Sequence, residues 1–499
     1  MMPSFKTVRL SHARYYAAIA AEVQQSYLKG GETALGALNL FDSERPHLES
    51  AFSYLDGQVA ESVKPKPGAS GCLNPDADAL RSLLVSLVDS VANIGEIRFN
   101  PRQHISWLKS QLAVARVSNQ PVIVASILSN MGVAHFNLGE IRKAIEYYKD
   151  ALCHEGQSRA DPLEGSTLGN LANAYAALGE VNEAIKMYEE ALAIHRALGN
   201  RRAECDVLGN LGLAYATIGN AAASIDFQEQ ALWIAQDVKD LKAECGILGN
   251  LGNGFLNLGD VQKAADFFAD QLAKARAIGL RRVECNALGN IGVTFWKAGE
   301  SEKSIKWFEQ ALAIASDVGD LRGEVNNLGN LGLAFDALGD SELAIKYHEK
   351  AMQIARLTGD RDAEGTVLAN LGLVYWNLED IPKAIHFYHE ALVLMRCVGN
   401  RRSTANILGN LGNAYDELGD LEKAIDLHGQ ALIIAQELGD KRAVGIALFN
   451  SALAFGQLNE QGQAIAQAEA ALAIFEEIND PNASTVREEL LELKGTPQN

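Results

Sequence analysis

The chain has 499 residues, with 44 Lys and Arg against 63 Asp and Glu, for a formal charge of -19 and a pI near 5.0. That balance excludes a surface built to track a nucleic-acid backbone, which takes a basic face. Six cysteines with no CxxC pair exclude a disulfide-stapled fold and point to a reducing, cytoplasmic setting, and no stretch reaches the length of a membrane span.

Taken in chain order, residues 1-62 predict an N-terminal helical segment of two or three helices. The run VKPKPGASGCLNPD then predicts a linker over 63-77. Residues 78-124 read as a degenerate capping repeat, because PRQHISWLKSQLAVARVSNQ at 101-120 runs in phase with SEKSIKWFEQALAIASDVGD at 301-320, placing Trp107 in register with Trp307. From 125 to 484 the sequence returns to itself every 40 residues, nine times. Asn130, Asn170, Asn210, Asn250, Asn290, Asn330, Asn370, Asn410 and Asn450 mark the register, usually inside the phrase Leu-Gly-Asn.

One unit shows what each repeat builds. Leu168, Leu171, Ala172, Tyr175 and Leu178 recur at helical spacing until Gly179-Glu180, which predicts a helix A. Ala184, Ile185, Tyr188, Ala191 and Leu192 then carry a helix B to Gly199-Asn200, where glycine suits a left-handed helix end and asparagine suits the next cap. Neither helix can bury its apolar stripe alone, so neighbours must stack. After Asp480-Pro481 a C-terminal capping helix is expected over 482-494, followed by a disordered tail at 495-499.

The order Leu171, Ala172, Tyr175, Gly179, Ala184, Tyr188, Ala191 resembles the tetratricopeptide consensus, with Gly132, Gly212, Gly252, Gly292, Gly332, Gly372 and Gly412 at the position of Ala172. The lengthened 40-residue form is similar to the repeats of Pins-type adaptors, kinesin light chains and the arrays of bacterial signalling ATPases. The resemblance implies an all-α fold, a right-handed α-solenoid (superhelix) of stacked tetratricopeptide helix pairs, whose A helices line a concave surface.

Asparagine lowers stability inside a helix by roughly 0.6 kcal/mol relative to alanine, so nine of them need a reason. On the implied concave surface they form a ladder of amides suited to the backbone of an extended protein segment. The preceding residue is glycine in six repeats, which would let such a backbone come close. A structural ladder, bonding one A helix to the next, is the alternative. Three residues on, Asn173, Asn253 and Asn413 alternate with Leu213, Val293, Leu333 and Leu373, and one further turn brings Trp296 and Trp376. These positions are the expected partner-binding set.

Basic pairs such as Arg201-Arg202, Arg281-Arg282 and Arg401-Arg402 read as a solvated edge. Positions that hold acidic chaperone tails in related domains are here Ser, Asn, Gly or Thr, which argues against that partner. His386 and His389 share a helix face but lie outside any HExxH motif, and the chain has no GxxxxGK[ST], GxGxxG or GxSxG signature. The expectation is therefore no catalytic residue, no metal and no cofactor. The chain reads as a non-enzymatic scaffold or adaptor for a protein or peptide partner. The alternative is a regulatory or sensor subunit of a larger signalling or defence assembly whose ATPase or protease is another chain.

Overall fold

A computed structural model describes residues 5–29, 31–63, 75–91, 94, 98–118, 120–154, 162–478 and 480–495; the expected linker and tail lie almost wholly outside these. Among the described residues there are 23 helices and no strand, so the chain is an all-α solenoid of helix pairs. It falls into two compact units, residues 1–207 and 208–499.

In the first unit α1 (Phe5–Leu28), α2 (Gly31–Val63), α3 (Pro75–Asp89) and α4 (Pro101–Val117) precede two pairs, α5 (Pro121–Asn137) with α6 (Ile141–His154) and α7 (Pro162–Ala177) with α8 (Val181–Leu198). The division falls within α9 (Arg201–Thr217). Next come α10 (Ala221–Asp237), then α11 (Leu241–Asn257) with α12 (Val261–Ala277) and α13 (Arg281–Lys297) with α14 (Ser301–Asp317). The second unit continues through α15 (Leu321–Ala337), α16 (Ser341–Thr358), α17 (Arg361–Asn377), α18 (Ile381–Val398), α19 (Arg401–Glu417), α20 (Leu421–Leu438), α21 (Lys441–Gln457), α22 (Gln461–Glu477) and α23 (Asn482–Gly495).

Helices start and stop where the repeat punctuation says. Gly199, Gly359, Gly399 and Gly439 take left-handed conformations, with φ between 66° and 73°, and so end the B helices. The residue after each glycine caps the next helix: Asp360 Oδ1 accepts from the Ala363 amide at 3.1 Å and Asp440 Oδ1 from the Ala443 amide at 3.0 Å. The basic pairs are the first residues of A helices, and part of each is engaged. Arg281 and Arg276 together grip the buried carboxylate of Glu284 at 2.7 and 2.8 Å, and Arg201 and Arg196 do the same for Glu204.

Within a repeat, the A helix is fastened to its B helix by a large side chain seated on a glycine. A methyl group added at Gly292 would stand 2.5 Å from the ring of Phe308, and Gly252 meets Phe268 at the same distance. Gly132 carries Tyr148, Gly332 His348, Gly372 Tyr388 and Gly412 His428 in the same way, while Gln228 occupies the place against Gly212. In the last repeat both partners are small, Ala452 and Ala468, and both are fully buried. A second contact runs beside this one, where the A-helix ring lies flat on a B-helix ring: Phe255 on Phe267 at 5.4 Å, Phe335 on Tyr347 at 5.3 Å and Tyr375 on Phe387 at 5.3 Å.

The ends are covered differently. Trp107 of α4 is buried between Phe52 of α2, stacked at 4.2 Å, and Phe99. At the other end α23 lays Val486 and Leu490 into the core that contains Phe475.

Two predictions follow from the seated side chains. Gly292→Val should lower stability by about 1–3 kcal/mol through overpacking on Phe308. Adding Phe308→Ala should recover part of the loss that Phe308→Ala shows alone, because the pair then approaches the small-on-small arrangement of Ala452 and Ala468; thermal melts of the three variants measure the coupling.

The second concerns acid. His348 has neither ring nitrogen hydrogen-bonded and is fully buried, and burial pushes it and His428 down to about 4. Above pH 6.5 both states are neutral, but between pH 6.5 and 4 the unfolded chain takes up protons that the native chain refuses. Stability should therefore fall with pH across that window, by roughly 3 kcal/mol per histidine when complete. His348→Phe and His428→Phe, which copy Phe268 and Phe308, should flatten the loss in melts taken from pH 7 to pH 4.5.

Candidate functional site

The seated rings fix how the A helices roll about their axes, and the roll decides where the asparagines point. All nine are half-buried: Asn130 and Asn170 in the first unit, and Asn210, Asn250, Asn290, Asn330, Asn370, Asn410 and Asn450 in the second. In the second unit the A helices α11, α13, α15 and α17 line an open cavity of about 590 Å³, with Asn250, Asn290, Asn330 and Asn370 on its wall. The structure thus gathers four of the expected asparagines, and Asn253 with them.

Their hydrogen bonding is uneven. Asn450 Nδ2 donates to Asn413 Oδ1 at 3.0 Å, a bond from one A helix to the next, and Asn250 Nδ2 reaches Gln228 Oε1 at the limiting distance of 3.5 Å. In the first unit Tyr188 donates its hydroxyl to Asn173 Oδ1 at 2.5 Å. The side chains of Asn290, Asn330 and Asn370 have no hydrogen-bond partner among the described residues, and they remain open to solvent on the cavity wall.

The other expected residues lie off the wall. Val293, Leu333 and Leu373 are half-buried and Leu213 is exposed, yet none of them lines the cavity. Trp296 packs on the core around Phe308 and Leu331, and Trp376 on the core around Tyr388 and Leu411. Both indoles are half-buried.

Sequence reasoning missed the residues toward the start of each A helix. Asn286, Asn326 and Thr366 stand four residues before a ladder asparagine, are exposed and line the cavity. Arg322 and Asp362 stand eight before one and line it too. The signal was available: a helical side chain tilts toward the helix N-terminus, so the asparagine shares its patch of surface with the residue one turn earlier.

Glycines before the asparagines serve two purposes. Beside Gly169, Gly209 and Gly409 the space is open, as a close approach would need. Beside Gly249 and Gly289 it is filled by the protein's own amides, Gln271 and Asn327. Gln271 is 5% exposed, donates to the Cys245 carbonyl at 3.0 Å and keeps its own Oε1 buried without a bond among the described residues. Asn327 Nδ2 donates to the Gly323 carbonyl at 2.8 Å.

Carboxylates at the far end of the A helices are held by neighbouring amides. Asp336 accepts from Asn377 at 2.7 Å and Asp416 from Gln457 at 3.3 Å, the same contact two repeats apart, and burial pushes both carboxyls up. Cys205, Cys245 and Cys285 are buried thiols, burial raising the latter two. His389 pairs with the Tyr415 hydroxyl at 3.2 Å, and among the described residues no group of three His, Cys, Asp or Glu is placed to hold a metal. No described helix is long and apolar enough to cross a membrane.

The sequence profile described as Tetratricopeptide repeat matches residues 163–237, 244–317, 323–396 and 403–477, and a second profile of the same description matches 124–153, together well over half of the chain. No curated protein sequence matches significantly. Among solved structures the chain is similar to the apo form of the quorum sensor NprR from B. thuringiensis, at 16% identity and a TM-score of 0.52 over 72% of this chain and 96% of that one. It is similar also to a Rap protein complexed with Competence and Sporulation Factor, at 14% identity and a TM-score of 0.50 over 72% and 98%. A signal transduction ATPase with numerous domains from Pyrococcus horikoshii, which has a tetratricopeptide repeat sensor, aligns over 95% of this chain and 74% of its own at 15% identity and a TM-score of 0.46. At these identities the likeness is one of fold.

Proposed function

As the chain belongs to the tetratricopeptide repeat family, we propose that it is a protein-interaction module that takes an extended protein segment along the asparagines of its A helices. One observation carries this reading: Asn290, Asn330 and Asn370 line a cavity, and their amides meet no partner among the described residues. Each offers two donors and an acceptor, the complement of a peptide backbone in an extended conformation. A purely structural ladder would look like the bond between Asn450 and Asn413 throughout. Among the nine, Asn450 makes that bond, whereas Asn250 reaches Gln228 rather than the next A helix. Leu213, Val293, Leu333, Leu373, Trp296 and Trp376 then belong to the framework or to flanking contacts, with Asn286 and Asn326 taking the place beside the ladder.

A sensor role in a larger assembly is a form of the same reading, in which the bound segment is the signal. It draws on α1 to α3, which share one core with α4 and have no counterpart in the repeats. The likeness in fold to the quorum sensor NprR and to a Rap protein complexed with Competence and Sporulation Factor is in keeping with it.

The test is a triple variant, Asn290→Ala, Asn330→Ala and Asn370→Ala, on a partner recovered by affinity capture. Alanine is the better helix former by roughly 0.6 kcal/mol per site, so the melting temperature should hold or rise. Losing three amide contacts should weaken binding by about 1.5–4.5 kcal/mol, a tenfold to thousandfold drop in affinity. A lower melting temperature with unchanged affinity would assign the ladder to the scaffold.

A further inference from the structure

In an array whose units copy one another, a departure from the copy stands out. The fifth residue of the B helix is isoleucine in eight of the nine repeats, from Ile145 to Ile465, and alanine in one, at Ala265. Ile225 shows what the isoleucine does: it reaches the next A helix so closely that a methyl group added at Gly254 would stand 3.1 Å from it. The methyl of Ala265 has no such reach. One turn on, Ala269 stands where Glu229, Glu309 and Glu349 do. The two truncations leave a cleft of about 320 Å³, lined by Ala265, Ala269 and Leu272 of α12, by Ile291 and Phe295 of α13 and by Trp307 of α14. Trp307 lies 6.4 Å from Phe295, whereas the ring pairs of the repeats on either side stand at 5.4 and 5.3 Å. The charges at the rim are engaged by the chain itself, since Asp266 accepts from Gln262 at 3.2 Å and Arg276 holds Glu284 at 2.8 Å. What the cleft lacks is apolar bulk, and its volume is at the low end for a small-ligand site, the room of one large side chain.

The B helix just before it departs in the opposite sense. Its thirteenth residue faces outward in every repeat of the second unit up to α20, and where α12 has Ala273 and α14 has Ala313, α10 has Trp233. Trp233 is 63% exposed, and no other of the chain's five tryptophans is exposed. Ala273, its equivalent, also lines the cleft. The projection and the hole therefore lie on one face, a single repeat apart.

We propose that two copies of this chain pair about a twofold axis on this B-helix face, with Trp233 of each copy seated in the Ala265 cleft of the other. A closed twofold contact uses the same patch twice and so must be complementary to itself, which a face carrying both a projection and its hole is. A tryptophan in a well-packed pocket is the commonest kind of anchor in such contacts. Two seated indoles make a small interface, of the transient class below about 1,200 Å², and the pairing is correspondingly weak, with a dissociation constant on the order of 10–100 µM. The cleft shares no lining residue with the cavity of the asparagines, so pairing leaves that wall open.

Sedimentation of the full chain from about 1 to 300 µM should show single copies in equilibrium with pairs. Each copy carries a formal charge of -19 and the contact is apolar, so pairing should strengthen as salt screens the repulsion. Trp233→Ala and Ala265→Ile should each weaken pairing about tenfold or more. The second installs the residue of the other eight repeats, so its melting temperature in dilute solution should hold or rise. Mixed together, the two variants regain one of the two contacts and should pair with each other better than either does with itself. A wild-type chain that stays single throughout overturns the inference, as does pairing that salt loosens or that survives either substitution. Growth beyond a pair, or a mixture that associates no better than its components, overturns it as well.

Discussion

A ring on a glycine is the contact from which the remainder of this architecture is built. Two amphipathic helices joined by a three-residue turn could pack at many rolls and offsets, since their apolar stripes are broad. Removing one Cβ creates a hole, and filling it with the largest available side chain leaves a single close-packed solution. At Gly292, Gly332, Gly372 and Gly412 the hole is filled by Phe308, His348, Tyr388 and His428, which differ in chemistry but agree in shape. That tolerance explains how two buried imidazoles came to sit where carbon would do: the position selects a flat ring, and the cost of an imidazole there emerges only under acid.

Once the roll is fixed, the site follows with little further specification. Each A helix must present the residue before its conserved-register leucine to the same side, so one asparagine per repeat becomes a row. Stacked aromatic pairs such as Phe335 with Tyr347 hold the far edge of the same helices and leave the row itself free of bulky neighbours. On the cavity wall the residues one and two turns earlier, Asn286, Asn326, Thr366, Arg322 and Asp362, differ from repeat to repeat. The repeated positions of the unit set the scaffold, and the variable ones give each stretch of the wall its own chemistry.

Much of this was legible in the residues. The spacing of the asparagines marked the repeat and Gly199-Asn200 and its equivalents marked the helix ends; Trp107, in phase with Trp307, is buried under α2 where Trp307 lies half-open on Phe295. The candidate site was legible as a row but not as a depth. Periodicity says which residues share a face, and along that face it is symmetric; the tilt of every Cα–Cβ bond toward the helix N-terminus breaks the symmetry, and it draws the cavity toward Asn286 and Arg322 and away from Trp296. Nor could spacing reveal that Gln271 and Asn327 fill the gaps beside Gly249 and Gly289, because those contacts join residues 22 and 38 positions apart and depend on which neighbour is long enough to reach.

Every ring-on-glycine contact closes within its own 40 residues: Gly252 to Phe268 and Gly372 to Tyr388 both span one helical hairpin. Recombination between the near-identical Leu-Gly-Asn phrases would therefore add or remove a whole unit without opening any contact inside the units that stay. The array behaves as a ruler marked in repeats. A lineage that gained one unit would lengthen the row of amides by one rung, while a lineage that lost one would shorten it. Reach can thus be altered in evolution by copying alone, before a single side chain on the wall has changed.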